Sequence, residues 1–189
     1  MIIKNGTIVL RPIEREDLKF LQEMINDPEI ERMVFKGCFP VSYDRQVRWF
    51  ENYDQQKEFR GMIQIQDGAT IGVMMLTNID WQYKTAELSH KTKATAEDRR
   101  DGDMIDAMMG ILNYAFNELN LHCVCGTVLE YNMLSRKLAM QCGFKEEGVL
   151  RDRAYKNGRY HNVIANSVLK EDFMPIYNAY REKRRNGKS

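Results

Sequence analysis

The sequence predicts an α/β (α+β) fold in which a mixed, mostly antiparallel sheet of about seven strands is covered by helices. Strand-type segments separated by turn signals crowd residues 62–91, whereas helix-type and strand-type patterns alternate from residue 104 onward. A hairpin-rich half joined to an alternating half favours one mixed sheet with helices packed on it. With 189 residues, the chain can form a single core, so residues 1–189 are expected to be one domain.

The composition excludes several classes of partner. The 28 basic and 27 acidic side chains give a formal net charge of +1, which provides no general attraction to nucleic acid or membrane. No apolar run has the length of a signal peptide or a membrane span, so a cytoplasmic location is expected. The four cysteines lack paired zinc-site spacing, and no metal is expected. The basic stretch 181–189 is expected to be a frayed tail, with contact to RNA or an acidic protein as the alternative.

The first elements are a strand and a helix. Ile8–Leu10 reads as a short strand that stops at Pro12, because proline lacks an N–H donor. Residues 16–25 carry apolar side chains at helical spacing, and this helix is expected to end near Pro28.

A second helix and three strands follow. Ser42 is a predicted N-cap for a helix that runs to about Lys57. Strands are predicted at Met62–Gln66 and Thr70–Leu76, on either side of an Asp-Gly turn signal, and again at Thr85–Lys91.

The second half alternates between helix and strand. An apolar stripe predicts a helix over Met104–Leu119, a strand opens at His122, and Asn132 is the predicted N-cap of the next helix. Asn157-Gly158 predicts the turn of a hairpin, because both residues tolerate positive φ. A final helix is predicted from Lys170 to about Arg185.

Three short motifs in the stretch 113–169 resemble a known family. They are N-x-x-S from Asn132, G-F-x-x-E-G from Gly143 and N-G-x-Y-x-x-V from Asn157. Their order resembles the second half of a GNAT-superfamily N-acetyltransferase, most closely the branch that acetylates ribosomal-protein N-termini and polyamines. The resemblance covers about Ile8 to Asp172 and implies the GNAT fold. It also implies transfer of an acetyl group from acetyl-coenzyme A to an amine.

The resemblance implies a coenzyme site where a loop leads into a helix. The family's loop has the form Q/R-x-x-G-x-G/A, and the matching stretch here is 99–104. Amides at a helix N-terminus and the helix dipole attract an anion, which suits a pyrophosphate. The implied coenzyme contacts are Leu88, Ser89, His90, Lys91, Arg99, Arg100, Gly102, Asp103, Met104, Asn132, Arg136 and Lys137.

The loop departs from the family pattern. Asp101 and Asp103 stabilise a helix N-terminus but would repel a pyrophosphate seated there. The alternative is therefore that they cap an ordinary helix that binds no phosphate. For Arg136 and Lys137 the alternative is a solvated helix face.

Two residues are candidates for the chemistry. Glu87 is the expected base, acting directly or through water, because a carboxylate in a partly buried cleft has a raised pKa. Many family members protonate the departing thiolate with a tyrosine, but this chain has Ala139 at that position. Ser135 is then the expected proton donor. The alternatives are a surface carboxylate for Glu87 and helix capping for Ser135.

The implied acceptor contacts are Asp80, Trp81, Tyr155, Tyr160 and His161. A core position is the alternative for Trp81, and a packed or solvated side chain is the alternative for His161. An α-amine, with a pKa of about 8, is partly neutral at pH 7, whereas a lysine, with a pKa near 10.4, is almost wholly charged. A weakly equipped site therefore favours α-amines.

The sequence thus predicts an acetyl-coenzyme A dependent N-acetyltransferase that acts on a primary amine, with a protein N-terminal α-amine as the preferred acceptor. A polyamine or amino-sugar acceptor is an alternative, as is a catalytically weak acyl-coenzyme A binding module of the same fold. The expected partners are acetyl-coenzyme A and the amine acceptor, with neither nucleic acid nor membrane. Edge strands after Tyr160 can also pair two copies of the chain into a homodimer.

Overall fold

The structure is a computed structural model that describes residues 2–35, 39–54, 57–66, 68–93 and 102–186. These residues form eight strands and six α-helices. The strands are β1 Ile3–Asn5, β2 Ile8–Pro12, β3 Phe59–Ile65, β4 Thr70–Asp80, β5 Thr85–Thr92, β6 Cys123–Leu129, β7 Lys145–Lys156 and β8 Arg159–Leu169. The helices are α1 Leu18–Ile25, α2 Pro28–Met33, α3 Tyr43–Asn52, α4 Asp103–Asn113, α5 Met133–Gln141 and α6 Lys170–Asn186.

All eight strands belong to one sheet, in the order β1-β2-β3-β4-β5-β6-β8-β7. Neighbouring strands are antiparallel except β5 and β6, which are parallel. The predicted fold class, a mostly antiparallel mixed sheet covered by helices, is confirmed. The strand count exceeds the expected seven because of β1, whose three residues are too few to show a strand pattern.

Helices cover both faces of the sheet. Met74 and Leu76 of β4 are fully buried in a core that they share with α4, α5 and α6. Their neighbour Val73 points to the opposite face, where it packs with Leu18 and Leu21 of α1. This alternation is the period-2 pattern of a strand that is buried on both sides.

The second helix, α2, is missing from the sequence prediction. Pro28, which was expected to end a helix, instead occupies the first turn of α2, where its missing N–H costs nothing. Asp27 is the N-cap, and its Oδ1 accepts the amide of Glu29 at 2.8 Å. The Asp-Pro pair therefore starts a helix rather than only stopping one.

Other local signals behave as expected. Ser42 caps α3 by accepting the amide of Arg45, and Asn132 caps α5 by accepting the amide of Ser135. Asn157 and Gly158 both have positive φ, of 52° and 79°, as a type I′ hairpin turn requires. The helix predicted over 104–119 is α-helical to Asn113 and continues as a π-helical turn, Tyr114–Glu118. Within the described ranges, no helix is long and apolar enough to cross a bilayer.

Candidate active site

The centre of the sheet contains a gap between its two parallel strands. β5 and β6 pair over only three positions, which end at Glu87 and Cys125. Beyond them, β5 continues along β4 as far as Thr92, and β6 continues along β8 as far as Leu129. The two strands therefore splay apart and open a V-shaped cleft that main-chain groups line.

The predicted coenzyme-binding residues of β5 are distributed over both faces of the strand. Leu88 is buried in the core beneath α4, whereas Ser89 is exposed and His90 and Lys91 are half-buried. The register with β4 pairs Glu87 with Thr77 and Ser89 with Met75, on the face that α1 and α3 cover. The predicted coenzyme contacts Leu88, Ser89, His90 and Lys91 share one feature, the edge of β5 beside the cleft.

Glu87 lies where the parallel pairing ends. Its Oε2 accepts a hydrogen bond of 2.6 Å from the side-chain amide of Asn78. Asn78 has φ of 50° and lies where the register between β4 and β5 shifts. This irregular position in β4 places a neutral donor on Glu87.

Cys125 lies beside Glu87 in the register of the parallel strands, and its thiol donates to the carbonyl of Ala86 at 3.3 Å. Burial raises the pKa of Cys125 above its usual value, and the nearby Cys123, Glu87 and Glu147 raise it further. Cys125 is therefore a neutral thiol near pH 7.

A second carboxylate, Glu147, joins this face from β7. The register of β7 shifts between Glu146 and Gly148, and Glu147 accepts a hydrogen bond from the Ser167 hydroxyl. Ser167 pairs with Cys125 across β6 and β8. We call Glu87, Cys125, Ser167 and Glu147 the open carboxylate cluster. Sequence reasoning missed Glu147 as a site residue, although it is the glutamate of the G-F-x-x-E-G motif.

The N-terminus of α4 lies at the end of the sheet where β5 ends. Asp103 contacts Thr7, beside Ile8, and the strand registers place Ile8 and Thr92 at that same end. Gly102 is the N-cap, with φ of 96°, and its carbonyl accepts the amide of Asp106 at 2.9 Å. The amides that precede Asp106 come before the first helical hydrogen bond, as at any helix start. Met104 is buried in the core. The predicted contacts Arg99 and Arg100, and the neighbouring Asp101, lie outside the described residues.

Asp103 does not face solvent at this helix start. Its side chain is buried, with 1% of the residue exposed, and its Oδ1 accepts the hydroxyl of Thr7 at 2.5 Å. The carboxylate is thus turned inward, toward the turn between β1 and β2. Asp103 would oppose a pyrophosphate at this helix start only if its carboxylate were directed outward, as expected from the sequence.

A second buried aspartate, Asp106, completes this cluster. It accepts the amide of Thr7 at 2.9 Å and the hydroxyl of Tyr180 at 2.7 Å, and it forms an ion pair with Arg184. Burial and the contact with Asp106 hold the pKa of Tyr180 above its usual value, so this phenol stays a donor. We call Asp103, Asp106, Thr7, Tyr180 and Arg184 the buried carboxylate cluster. Sequence reasoning did not identify Asp106, Thr7, Tyr180 or Arg184.

Gly6 provides the space that this cluster needs. A Cβ atom at Gly6 would lie 1.9 Å from Oδ2 of Asp106, closer than any van der Waals contact allows. Gly6 also has φ of 58°, a conformation that glycine adopts at no steric cost. The predicted basic tail is helical here as far as Asn186, and Arg184 connects it to the start of α4.

The predicted residues of α5 have mainly structural contacts. Asn132 is buried, and besides capping α5 it donates to the carbonyl of Met33 at 2.9 Å. Ser135 is half-buried in the first turn. Arg136 forms a two-pronged ion pair with Glu146, at 2.8 and 3.1 Å, which lowers the pKa of Glu146. Lys137 is exposed.

The end of α2 is anchored to the second half of the chain. The carbonyls of Glu31, Arg32 and Met33 accept hydrogen bonds from Lys156, Tyr131 and Asn132 respectively, at 3.0, 2.6 and 2.9 Å. These contacts hold the end of α2 against the loop between β6 and α5 and against the end of β7.

The structure does not bring the five predicted acceptor contacts together. Asp80 caps a turn by accepting the amides of Gln82 and Tyr83, both at 2.9 Å. Trp81 is 49% exposed and borders a pocket of about 220 Å³ at the end of the sheet where β5 begins. That end is opposite to the start of α4.

The other three acceptor candidates belong to the hairpin of β7 and β8. Tyr155 and Tyr160 are exposed and pack edge to face, with ring centroids 5.0 Å apart. His161 is only 4% exposed and lies between Tyr131, at 4.8 Å between ring centroids, and Glu130, at 3.6 Å between Nδ1 and Oε1. His161 is therefore a packed residue near the turn of this hairpin.

Comparisons with known proteins agree with this geometry. The profile described as "Acetyltransferase (GNAT) domain" matches residues 7–145. A putative ribosomal N-acetyltransferase from Bacillus subtilis, YdaF, is 28% identical, covering 89% of this chain and 94% of its own length. A spermidine N(1)-acetyltransferase from Vibrio cholerae is 26% identical, covering 90% and 97% respectively. The crystal structure of the spermidine N-acetyltransferase from Vibrio cholerae in complex with CoA and spermine has a TM-score of 0.81 at 26% identity, covering 90% of this chain and 99% of that one.

Proposed function

The chain belongs to the acetyltransferase (GNAT) domain family, and from this premise we propose that it transfers an acetyl group from acetyl-coenzyme A to the α-amine of a protein N-terminus. The observation that carries the proposal is the cleft between β5 and β6, which opens beyond Glu87 toward the end of the sheet where α4 starts. A long thioester donor fits this arrangement, with its phosphates at α4 and its acetyl group beside Glu87.

The helix start suits the donor's pyrophosphate. Asp103 is turned inward, and among the described residues the nearest atom to a Cβ placed at Gly102 is Arg184 Nη2, at 4.0 Å. Main-chain amides at the first turn then face the anion together with the positive end of the helix dipole. The same strand edge that includes Leu88, Ser89, His90 and Lys91 would border the pantetheine arm.

Each step of the chemistry has a residue in this proposal. Acetyl-coenzyme A supplies the acetyl group as a thioester. A main-chain N–H of β5 polarises the carbonyl oxygen, as a preorganised donor in a cleft does. Glu87 takes the proton that the attacking amine loses when its nitrogen bonds to the carbonyl carbon. Ser135 gives a proton to the sulfur as the carbon–sulfur bond breaks, and it regains a proton from water while Glu87 releases its own to water.

The preference for an α-amine follows from the pKa of the acceptor. One donor to the Glu87 carboxylate is the neutral side-chain amide of Asn78. An α-amine has a pKa of about 8 and is partly deprotonated at pH 7, so it needs less help than a lysine side chain. The 28% identity to the putative ribosomal N-acetyltransferase supports the same choice.

A polyamine is the second candidate acceptor. Glu87 and Glu147 both lie close enough to Cys125 to raise its pKa, which concentrates negative charge at the end of the cleft. A cationic amine would be attracted to this open carboxylate cluster, and the spermidine acetyltransferase relatives support this reading. The variant Glu147→Gln is then expected to raise the KM for spermidine about tenfold, because one charged contact is lost.

The test is turnover of the wild-type protein with a panel of amines, followed by release of free thiol. The panel contains a peptide with one lysine and a free α-amine, the same peptide with its α-amine blocked, and spermidine. The proposal predicts turnover of the first peptide and little of the second. Turnover of spermidine alone would replace the α-amine with the polyamine, and no turnover of any amine would remove both candidates.

A further inference from the structure

One cation reaches the proposed phosphate site from a distant part of the chain. Arg184 lies in the last turn of α6, and its Nη2 is 4.0 Å from the position of a Cβ at Gly102. Gly102 is the N-cap of α4. The C-terminal helix thus places a guanidinium group directly beside the start of α4.

The side chain of Arg184 is held in place before any ligand binds. Its Nη2 forms an ion pair with Asp106, which is fully buried, and its guanidinium lies 5.8 Å from the centre of the Tyr180 ring. A planar, always charged group that is already fixed loses less conformational entropy when it binds a ligand. The contacts therefore orient the guanidinium rather than leave it mobile.

This arrangement leaves part of the guanidinium accessible. The side chain of Arg184 is 41% exposed, in contrast to Asp106 at 0%. A guanidinium has five N–H donors in a fork that matches phosphate oxygens. Nη2 binds Asp106 and is also the guanidinium atom nearest to Gly102, so the ion pair holds the partly exposed group beside the helix start.

Arg184 offsets part of the negative charge at the start of α4. Asp103 and Asp106 place two carboxylates in the first turn of α4, where an anion is proposed to bind. Hydrogen bonds from Thr7 and Tyr180 satisfy these carboxylates but leave their charge unchanged. Arg184 brings the positive charge that offsets Asp106.

We propose that Arg184 is a coenzyme-binding residue that contacts a phosphate group of coenzyme A at the start of α4. The inference rests on the proposed function, because it uses the same donor site. It adds a contact from the C-terminal helix, beyond residues 7–145 that match the family profile. A merely structural Arg184 would instead anchor α6 to Asp106 without affecting phosphate recognition.

The test compares two acetyl donors in the full-length protein. Acetyl-coenzyme A carries the phosphates, whereas S-acetylpantetheine has the same thioester and lacks them. For Arg184→Gln, the KM for acetyl-coenzyme A is expected to rise about tenfold, the effect of losing one charged contact. The kcat/KM with S-acetylpantetheine is expected to stay within about twofold of the wild type.

Two further variants serve as controls. Arg185→Gln removes the same charge from the adjacent, exposed position and is expected to leave both donors within about twofold. Arg184→Lys keeps the charge without the fork and is expected to lose less affinity for acetyl-coenzyme A than Arg184→Gln. Thermal unfolding of each variant checks that the protein is folded at the assay temperature.

The outcomes are distinguishable. Equal losses with both donors would assign Arg184 a structural role and overturn the proposal, as would an unchanged KM for acetyl-coenzyme A in Arg184→Gln. If Arg184→Gln does not fold, Arg184→Lys decides the question. Unchanged use of both donors by Arg184→Lys, or equal losses with both, would also overturn the proposal. Failure of the wild type with both donors would instead contradict the proposed function.

Discussion

The two carboxylate clusters contain the same kind of residue in opposite surroundings. In the buried carboxylate cluster, Asp106 has no exposed surface and forms an ion pair with Arg184. In the open carboxylate cluster, the amide of Asn78 and the hydroxyl of Ser167 bind Glu87 and Glu147. These two donors are neutral, whereas Arg184 is charged.

The difference between the two clusters matches what each cluster is proposed to bind. An anionic donor requires that negative charge at the start of α4 be offset or turned away, and Arg184 and the inward-facing Asp103 do this. An amine acceptor needs a base and tolerates negative charge, and Glu87 is proposed to be that base. In this proposal the buried cluster serves folding and donor binding, and the open cluster serves the acceptor.

The largest expected effect comes from the open cluster. Glu87→Gln keeps the hydrogen bond to Asn78 but removes the proton acceptor, so kcat/KM is expected to fall about 10² to 10⁴-fold, the usual contribution of general-base catalysis. Steady-state kinetics with a peptide α-amine would measure it. The loss should shrink as the pH rises through about 8, because the α-amine then deprotonates in solution.

Glu118→Gln is the matched control for that variant. Glu118 is exposed in the π-helical turn after α4, far from the cleft, so its kinetics should match the wild type. A Glu87→Gln enzyme with wild-type kcat/KM at pH 7 would contradict the assignment of Glu87 as base.

The next effect belongs to the buried cluster. Asp106→Asn leaves Arg184 without its charged partner and cannot accept every donor that Asp106 binds. Breaking a buried ion pair from one side costs about 3 to 5 kcal/mol, here lessened by the 41% exposure of Arg184. Urea unfolding would measure the free energy of unfolding.

The exposed pair of Glu29 and Arg32 provides the control for Asp106→Asn. Glu29→Gln should lower the free energy of unfolding by less than about 1 kcal/mol, since surface ion pairs contribute little. Equal effects of Glu29→Gln and Asp106→Asn would show that the buried cluster does not stabilise the fold.

Gly6→Ala tests the same cluster without changing a charge. The added methyl would lie 1.9 Å from Oδ2 of Asp106, and alanine is strained at φ of 58°. Overpacking and a left-handed backbone together predict a loss of about 3 kcal/mol in the free energy of unfolding. Gly148→Ala is the control, because no atom of the described residues lies within 4 Å of a Cβ there. Similar unfolding curves for both variants would refute the close approach of Asp106 to Gly6.

The smallest effect compares thiols on the two faces. Burial raises the pKa of Cys142 to about 12, whereas Cys125 has its pKa raised by burial and by neighbouring carboxylates. At pH 8 only about 1 in 10⁴ of the Cys142 side chains is a thiolate, so it should resist alkylation. Peptide mapping after iodoacetamide treatment should find Cys142 unlabelled in the folded protein and labelled after unfolding. Equal labelling rates in both states would contradict its burial.

Local sequence signals predicted most of the fold because each one acts within a few residues. The caps Ser42 and Asn132 and the Asn157-Gly158 turn need only their neighbours, and all three appear as predicted. α2 was missed for a local reason, since Asp27-Pro28 signals either an end or a start. β1 is too short to show a pattern at all.

The site was less predictable because its contacts join distant parts of the chain. Thr7 and Arg184 meet at Asp106, which is 99 residues from one and 78 from the other. No local pattern indicates such a meeting, so Asp103 appeared to be an obstacle to anion binding. The family resemblance indicated Glu87, whereas the position of Glu147 in the open carboxylate cluster depends on the pairing of β7 with β8.

The most direct test of the account is a calorimetric titration of the wild-type protein with coenzyme A. Because Asp106 is offset by Arg184 and Asp103 is turned inward, we expect saturable binding at one site per chain. Absence of heat at any coenzyme concentration, from protein with an intact thermal unfolding transition, would contradict the claim that the start of α4 accepts the anionic donor.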